Sequence, residues 1–280
     1  MERKFYVTKI SGEKELFSIA KYQRSLRRAG CTNEMLEMIM EDLLPTFKAG
    51  ISTKEIYQQT WKFLKERDER SVAGRYNLKQ ALLKLGPSGY PFEHFVASIL
   101  KKEGYKVNVG STVNGFCVTH EVDVLAESDH QKVLVECKFH NKQEYRSNVK
   151  IPLYVKARLD DVNKYFEKVD KSKMFSKCFL VTNTKFTSDA IAYGECVGLN
   201  LISWGYPKDG SLEQLIQRNK LHPITCLNRL TQKELNLLLQ NGIVLCSDLK
   251  DKSQEIQKLG LSKRKAEWLV AQGCALEGIK

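Results

Sequence analysis

No apolar run in the 280 residues approaches the roughly 20 needed to cross a bilayer, and the opening MERKFYVTKI has no secretory signal. Those absences set membrane proteins aside and lead us to expect a cytoplasmic chain. None of the eight cysteines, at 31, 117, 137, 178, 196, 226, 246 and 274, forms a C-x-x-C pair, and most lie in apolar runs such as KCFLV and IVLCSDL. That argues against a zinc cluster or a disulfide framework and for reduced, buried thiols. No G-x-x-x-x-G-K-[ST] loop occurs, so nothing supports ATP hydrolysis of the P-loop kind. Low-complexity tracts and internal repeats are missing too.

What is present suits a globular chain of two or three domains, with 42% hydrophobic and 28% charged residues. The net charge of +12 favours a polyanionic partner. Divided at residues 90 and 220, the chain carries +6, +3 and +3, so the excess is spread rather than held in one tail. A generally basic surface would give the same balance.

Three segments follow from the local patterns. Residues 1–86 open with a hairpin, KFYVTKISGEKELFSI, turning at Ser11-Gly12. Helical patterns follow, with Ser18 as an N-cap, a Ser52/Glu55 capping box and a fourth helix through AGRYNLKQALLKL. GPSGYP, residues 86–91, breaks that helix and marks a boundary. Residues 87–220 alternate strand and helix: a helix in FEHFVASILKKEG, strands at 106–109, in CFLVTN and in NLISW, and helices over 151–168 and 187–196. Residues 221–280 read as all-helical, with a Thr231/Glu234 capping box, a stop at Gly242 and a helix–turn–helix in IQKLGLSKRKAEWLVAQG.

Within the middle segment, HEVDVLAESDHQKVLVECKFH reads as two strands joined by a polar turn. Val133, Val135, Cys137 and Phe139 form one face, packed on a core; Lys132, Leu134, Glu136 and Lys138 form the other. Val122 and Val124 share the core side of the first strand, opposite Glu121, Asp123 and Leu125. Folding the chain over residues 128–131 with a two- or four-residue loop pairs Glu127 with Lys132, which sets Asp123 against Glu136 and Glu121 against Lys138. Opposed carboxylates with Cβ atoms about 4.5–5.5 Å apart repel unless a cation lies between them. The pattern therefore predicts a divalent-metal site with an adjacent lysine. An ion-paired sheet surface is the plainer alternative.

The D-x(n)-E-x-K order of this hairpin resembles the PD-(D/E)xK nucleases. With the helix before it and FLVTNTKFTSDAIAYGECVGLNLISW after it, residues 88–205 resemble the Mrr-type restriction endonuclease branch. The resemblance implies that Asp123 and Glu136, with a backbone carbonyl near Cys137, hold Mg²⁺ or Mn²⁺, and that Lys138 orients or activates the attacking water. Glu93 matches a helix glutamate that supports a ligand or a second metal. Arg158 and Lys150 are weaker candidates for phosphate contacts. His120 falls on the Val122 face and is expected to pack; His140 lies just past the strand.

VTKISGEKELFSIAKYQRSL, GISTKEIY and RYNLKQAL, in that order, resemble the ATP-cone, a nucleotide-sensing module. The resemblance implies ATP or dATP as regulatory ligand, with Lys9 and Lys21 on phosphates, Glu15 and Thr53 lining the site and Val7 and Tyr57 near the base. The family's usual Lys-Arg pair reads Lys9-Ile10 here, and its later lysine corresponds to Lys79 or Lys84. At the other end, LGLSKRKAEWL resembles the second half of a helix-hairpin-helix, which implies phosphate contacts from Lys263, Arg264 and Lys265; a packing bundle with a solvated basic face is the alternative.

The expected fold class is therefore multidomain α+β and α/β. A mostly helical cone with a small β-hairpin precedes a mixed sheet flanked by helices, and a small all-α module follows. The expected function is a metal-dependent endodeoxyribonuclease regulated by nucleotide, implied by the resemblance to act in restriction or defence. Its expected partners are DNA, a nucleotide effector and further copies of itself, with no membrane. The alternatives are a nucleotide-responsive DNA-binding regulator that does not cut, and an RNA-directed or structure-specific enzyme.

Overall fold

The computed structural model describes residues 4–9, 12–67, 69–86, 88–227 and 229–278. Its N-terminal lobe begins with a hairpin of β1 (Tyr6–Thr8) and β2 (Lys14–Leu16), in which Val7 faces Glu15; Ser11 of the expected turn lies outside the described residues. Helices α1 (Ile19–Arg28), α2 (Asn33–Met38), α3 (Thr53–Glu66), α4 (Arg70–Tyr76) and α5 (Leu78–Leu82) follow. Ser18 caps α1 and the Ser52/Glu55 box opens α3, since each side chain satisfies amides that a helix start leaves unbonded. The single fourth helix expected from AGRYNLKQALLKL is interrupted at Asn77, which serves both as the end of α4 and as the start of α5.

The central sheet has five strands in the order β3, β4, β5, β7, β9. After α6 (Tyr90–Lys102) come β3 (Lys106–Asn114), β4 (Thr119–Ser128) and β5 (Gln131–Lys138), an antiparallel meander. The β4–β5 turn is the two-residue alternative, with Ser128 opposite Gln131 and Glu127 opposite Lys132. A short β6 (Arg146–Ser147) precedes α7 (Lys150–Val169). Beyond it, β7 (Lys177–Thr182) joins β5 in parallel, and β8 (Lys185–Phe186) pairs with β6. Finally, α8 (Ser188–Cys196) returns the chain to β9 (Asn200–Ile202), parallel to β7.

Both faces of this sheet are covered, not one as the alternation suggested. Val133 and Val135 meet Phe92, Phe95 and Ile99 of α6 on one side. Leu134 meets Val155 and Val162 of α7, with Ala190 of α8, on the other. Parallel pairing brings its crossover helices onto the sheet, and so β5 reads as a nearly continuous apolar run. Leu134 is wholly buried, which is worth roughly 1.5–3 kcal/mol. Val122 and Val124, expected on one face, belong to different cores. Between them the β3–β4 register skips Asp123 and Gly110, whose φ of +64° is open to glycine without strain.

The remaining helices are α9 (Leu212–Asn219), α10 (Gln232–Gln240), α11 (Ser253–Lys258) and α12 (Lys263–Glu277). Packing does not divide where the sequence patterns do. Leu78, Leu82 and Leu85 share one core with α6, the sheet and Leu238, Leu269 and Leu276, while residues from Phe5 to Ala73 form a separate core. No helix among the described residues is long and apolar enough to cross a membrane.

Candidate active site

Strands β4 and β5 diverge where their charged residues begin. Their ladder ends at Val124 opposite Val135, one step before Asp123 and Glu136, and β5 goes on pairing with β7 through Glu136, Cys137 and Lys138. Asp123 reaches across the gap, its Oδ2 accepting a hydrogen bond of 2.6 Å from the Cys137 amide. Burial pushes its carboxyl above the usual range, while that amide and Arg158 pull it down. Glu136 is pushed up to about 7, by burial first and by the Asp123 charge second. Glu93 approaches from the first turn of α6 and is raised to about 7 by burial and by the charges of Asp123 and Glu121. The Asp123 charge thus makes both Glu93 and Glu136 harder to ionise. Lys138 follows Glu136 by two positions on β5, and its carbonyl accepts a bond of 2.7 Å from the Thr182 hydroxyl.

Arg158 is the residue that the sequence misplaced. Rather than reaching for phosphate, it is 8% exposed on α7, donates to the Glu136 carboxylate and to the Tyr154 hydroxyl at 2.6 Å, and leaves its Nε without a partner. Tyr154 lies one helical turn away on the same face, the only hint the sequence offered. Lys150 is exposed at the start of α7. His120 is held by Asp161 at 2.8 Å; the same Asp161, which nothing in the sequence singled out, accepts from the Cys117 and Val118 amides and clamps the β3–β4 loop. His140 is fixed by two bonds to Asn183 and one to Ser147.

The donor chemistry fits a hard divalent ion. Asp123, Glu136 and Glu93 offer carboxylate oxygens, and their shared upward shift marks a place where added positive charge is favourable. No group of three His, Cys, Asp or Glu side chains among the described residues forms a ready-made cage. An ion such as Mg²⁺ takes one or two carboxylates and keeps several waters.

The other expected site residues fall into separate groups. Lys9, Glu15 and Lys21 form one ion-paired cluster, with Lys9 3.0 Å and Lys21 3.8 Å from Glu15, and a further Lys9–Glu13 pair at 3.1 Å. Val7 is buried in the core of the N-terminal lobe. Thr53 and Tyr57 instead line a cleft between that lobe and the sheet domain; Lys79 lines it too, and Lys84 does not. Ile10 lies outside the described residues. At the C-terminal turn, Lys263 and Arg264 are exposed in the first turn of α12, with Lys263 4.0 Å from Glu267. Lys265 is folded back onto the Arg229 carbonyl and lies 3.3 Å from Glu234, so it is engaged within the protein.

Residues 86–204 match the restriction endonuclease catalytic model of the Mrr type, and residues 222–276 match the AF1548-like C-terminal model. An uncharacterized protein of Archaeoglobus fulgidus is 35% identical over 178 residues, 63% of this chain and 97% of its own length. The crystal structure of AF1548, a protein of unknown function, is similar at 34% identity and a TM-score of 0.58, covering 68% of this chain and 99% of that one. The MspJI restriction endonuclease in complex with a 27-mer oligonucleotide matches at 15% identity and a TM-score of 0.31, over 75% of this chain and 44% of that one.

Proposed function

The chain belongs to the AF1548-like family and carries a restriction endonuclease domain, and from that premise we propose that it is a Mg²⁺- or Mn²⁺-dependent endodeoxyribonuclease whose activity responds to ATP or dATP at its N-terminal lobe. The observation that carries this reading is that Asp123 meets the Glu136–Cys137–Lys138 end of β5 where the β4–β5 ladder stops, with its charge felt by both Glu136 and Glu93. Asp123 and Glu136 would hold the ion, which supplies charge stabilisation at the phosphate and a lowered pKa for a bound water. The chain's own residues do the rest. The Lys138 ammonium would counter the charge that develops on the phosphate oxygens and hydrogen-bond the attacking water. Arg158 and Tyr154 hold the Glu136 carboxylate in place, and the Cys137 amide does the same for Asp123. The overall charge of +12 suits a DNA backbone, and the exposed Lys263 and Arg264 would add phosphate contacts. A homo-oligomer would bring two such sites to one duplex, since each cuts a single strand.

One observation favours a second reading, a nucleotide-responsive DNA binder that does not cut: the Arg158 cation already neutralises Glu136. Cleavage of supercoiled and linear DNA with Mg²⁺ or Mn²⁺, with and without ATP and dATP, beside Asp123→Ala, separates the two. Metal-dependent cutting that disappears in the variant supports the nuclease. Binding without cutting under every condition supports the regulator.

A further inference from the structure

A cleft of about 800 Å³ separates the N-terminal lobe from the sheet domain, a size that ligand pockets commonly have. One wall is the first turn of α3 with the tyrosines Tyr57 and Tyr76, and beside them Lys79 of α5, whose neighbours Leu78 and Leu82 pack in the core of the sheet. The other wall is the sheet domain: Trp204, Glu213 and residues 141–144. The two tyrosines stack on each other, centroids 5.5 Å apart and planes within 10°, which makes a rigid aromatic platform. Cations outnumber carboxylates around it. Arg28 is committed to Glu213 at 2.9 Å, and Arg75 donates to the Ala29 and Leu276 carbonyls. Lys54, Lys79 and Lys142 have no ion pair among the described residues. Lys79, 5.8 Å from the Trp204 ring, is lowered to about 8 by burial and by Lys185.

The sheet-domain wall has a direct connection to the active site. Residues 141–144 begin three positions beyond Lys138, on the chain that leaves β5. Gln80 of α5 spans the cleft to them, its Nε2 donating to Gln143 Oε1 at 3.1 Å. His140, between the two, is held by Asn183, which makes it the fixed point from which residues 141–144 leave the end of β5.

We propose that this cleft takes a phosphorylated planar ligand, a mononucleotide, with its base on the Tyr57 side and its phosphates among Lys54, Lys79 and Lys142, and that occupancy acts on the nuclease site through residues 141–144. The proposal rests on the reading of the N-terminal lobe as a nucleotide sensor and replaces a site confined to that lobe with one built by both. The same chemistry is offered by a free nucleotide and by the phosphorylated end of a DNA strand.

The test uses the intact chain. Calorimetry with ATP, tripolyphosphate and a 5′-phosphorylated oligonucleotide is run on the wild type, Lys79→Met and the exposed-residue variant Lys54→Ala. Amide exchange over residues 139–147 is followed with and without ATP. The expected result is ATP binding at least tenfold weaker in Lys79→Met and several-fold weaker in Lys54→Ala, tripolyphosphate weaker than ATP, and exchange over 139–147 slowed by ATP. ATP that does not bind, that binds both variants like the wild type, or that leaves exchange over 139–147 unchanged overturns the proposal. Tripolyphosphate equal to ATP removes the aromatic platform's role, and an oligonucleotide tighter than ATP assigns the cleft to a strand end; either result overturns it as well. None of these readouts requires cleavage, so a chain that cuts no DNA defeats the nuclease reading while leaving this one to its own result.

Discussion

Replacing Lys138 by alanine removes the cation two positions from Glu136 on β5 and, on the nuclease reading, the donor that would meet charge on the phosphate. We expect cleavage to fall by about 10²–10³-fold with DNA binding little changed, since losing one such donor has that effect elsewhere; single-turnover cleavage and a binding titration check it. A second residue-scale prediction concerns Glu277, which is buried and raised to about 7 although its Oε1 accepts from the His222 and Ser247 amides at 3.5 and 3.1 Å. Because its folded pKa lies above the unfolded value near 4.5, its contribution is fully present below that value. It is lost as pH rises from about 4.5 through 7. At about 1.4 kcal/mol per pKa unit, Glu277→Gln should gain roughly 3 kcal/mol relative to the wild type between pH 4.5 and 8, read from urea midpoints at the two ends. His222 works in the opposite sense: burial lowers it to about 4, so its contribution is present above 6.5 and is lost as pH falls toward 4.

Among the elements, those specified by near neighbours in sequence were legible. The Ser52/Glu55 and Thr231/Glu234 boxes and the Glu127–Lys132 register each depend on groups a few positions apart. Removing one cap, Ser52→Ala, should cost about 1 kcal/mol in thermal or urea unfolding. What was not legible depends on distant chain. The second cover on β5 comes from α7, and the partner of Arg158 lies 22 positions away on a strand. The break at Asn77 has no strong breaker residue to announce it. Nor does any local pattern reveal that α8 must approach β9 closely: a Cβ at Gly194 would come within 2.1 Å of the Leu201 side chain. Gly194→Ala should therefore destabilise the sheet domain by about 1–3 kcal/mol, measured by urea unfolding, despite alanine's better helix propensity.

For the molecule as a whole, the two cores that flank the sheet share its strands while the N-terminal core stands apart, which predicts two unfolding units, and their boundary is not at the Gly86 break. One core ends with Ala73, and the other runs from Leu78 to Leu276 through the catalytic sheet. Leu269→Ala, at a wholly buried position of α12, should cost about 2–5 kcal/mol and lower the unfolding midpoint of the catalytic sheet along with that of the C-terminal helices. Exchange of the β5 amides provides the measurement; protection there that is unchanged by the variant would show the C-terminal helices to be an independent unit.

The hydrogen bond from Arg75 to the Leu276 carbonyl joins residues 201 positions apart in sequence. During synthesis at about 5–20 residues per second, on the order of ten to forty seconds pass between the emergence of one end of that contact and the other. The N-terminal lobe has all of its core residues early in that interval and is free to fold behind the moving ribosome. The core that α12 shares with α6 and the sheet is completed only when residues 266–276 arrive. A cell making this protein therefore holds a finished N-terminal lobe beside an unfinished core for most of the time that each copy is being built.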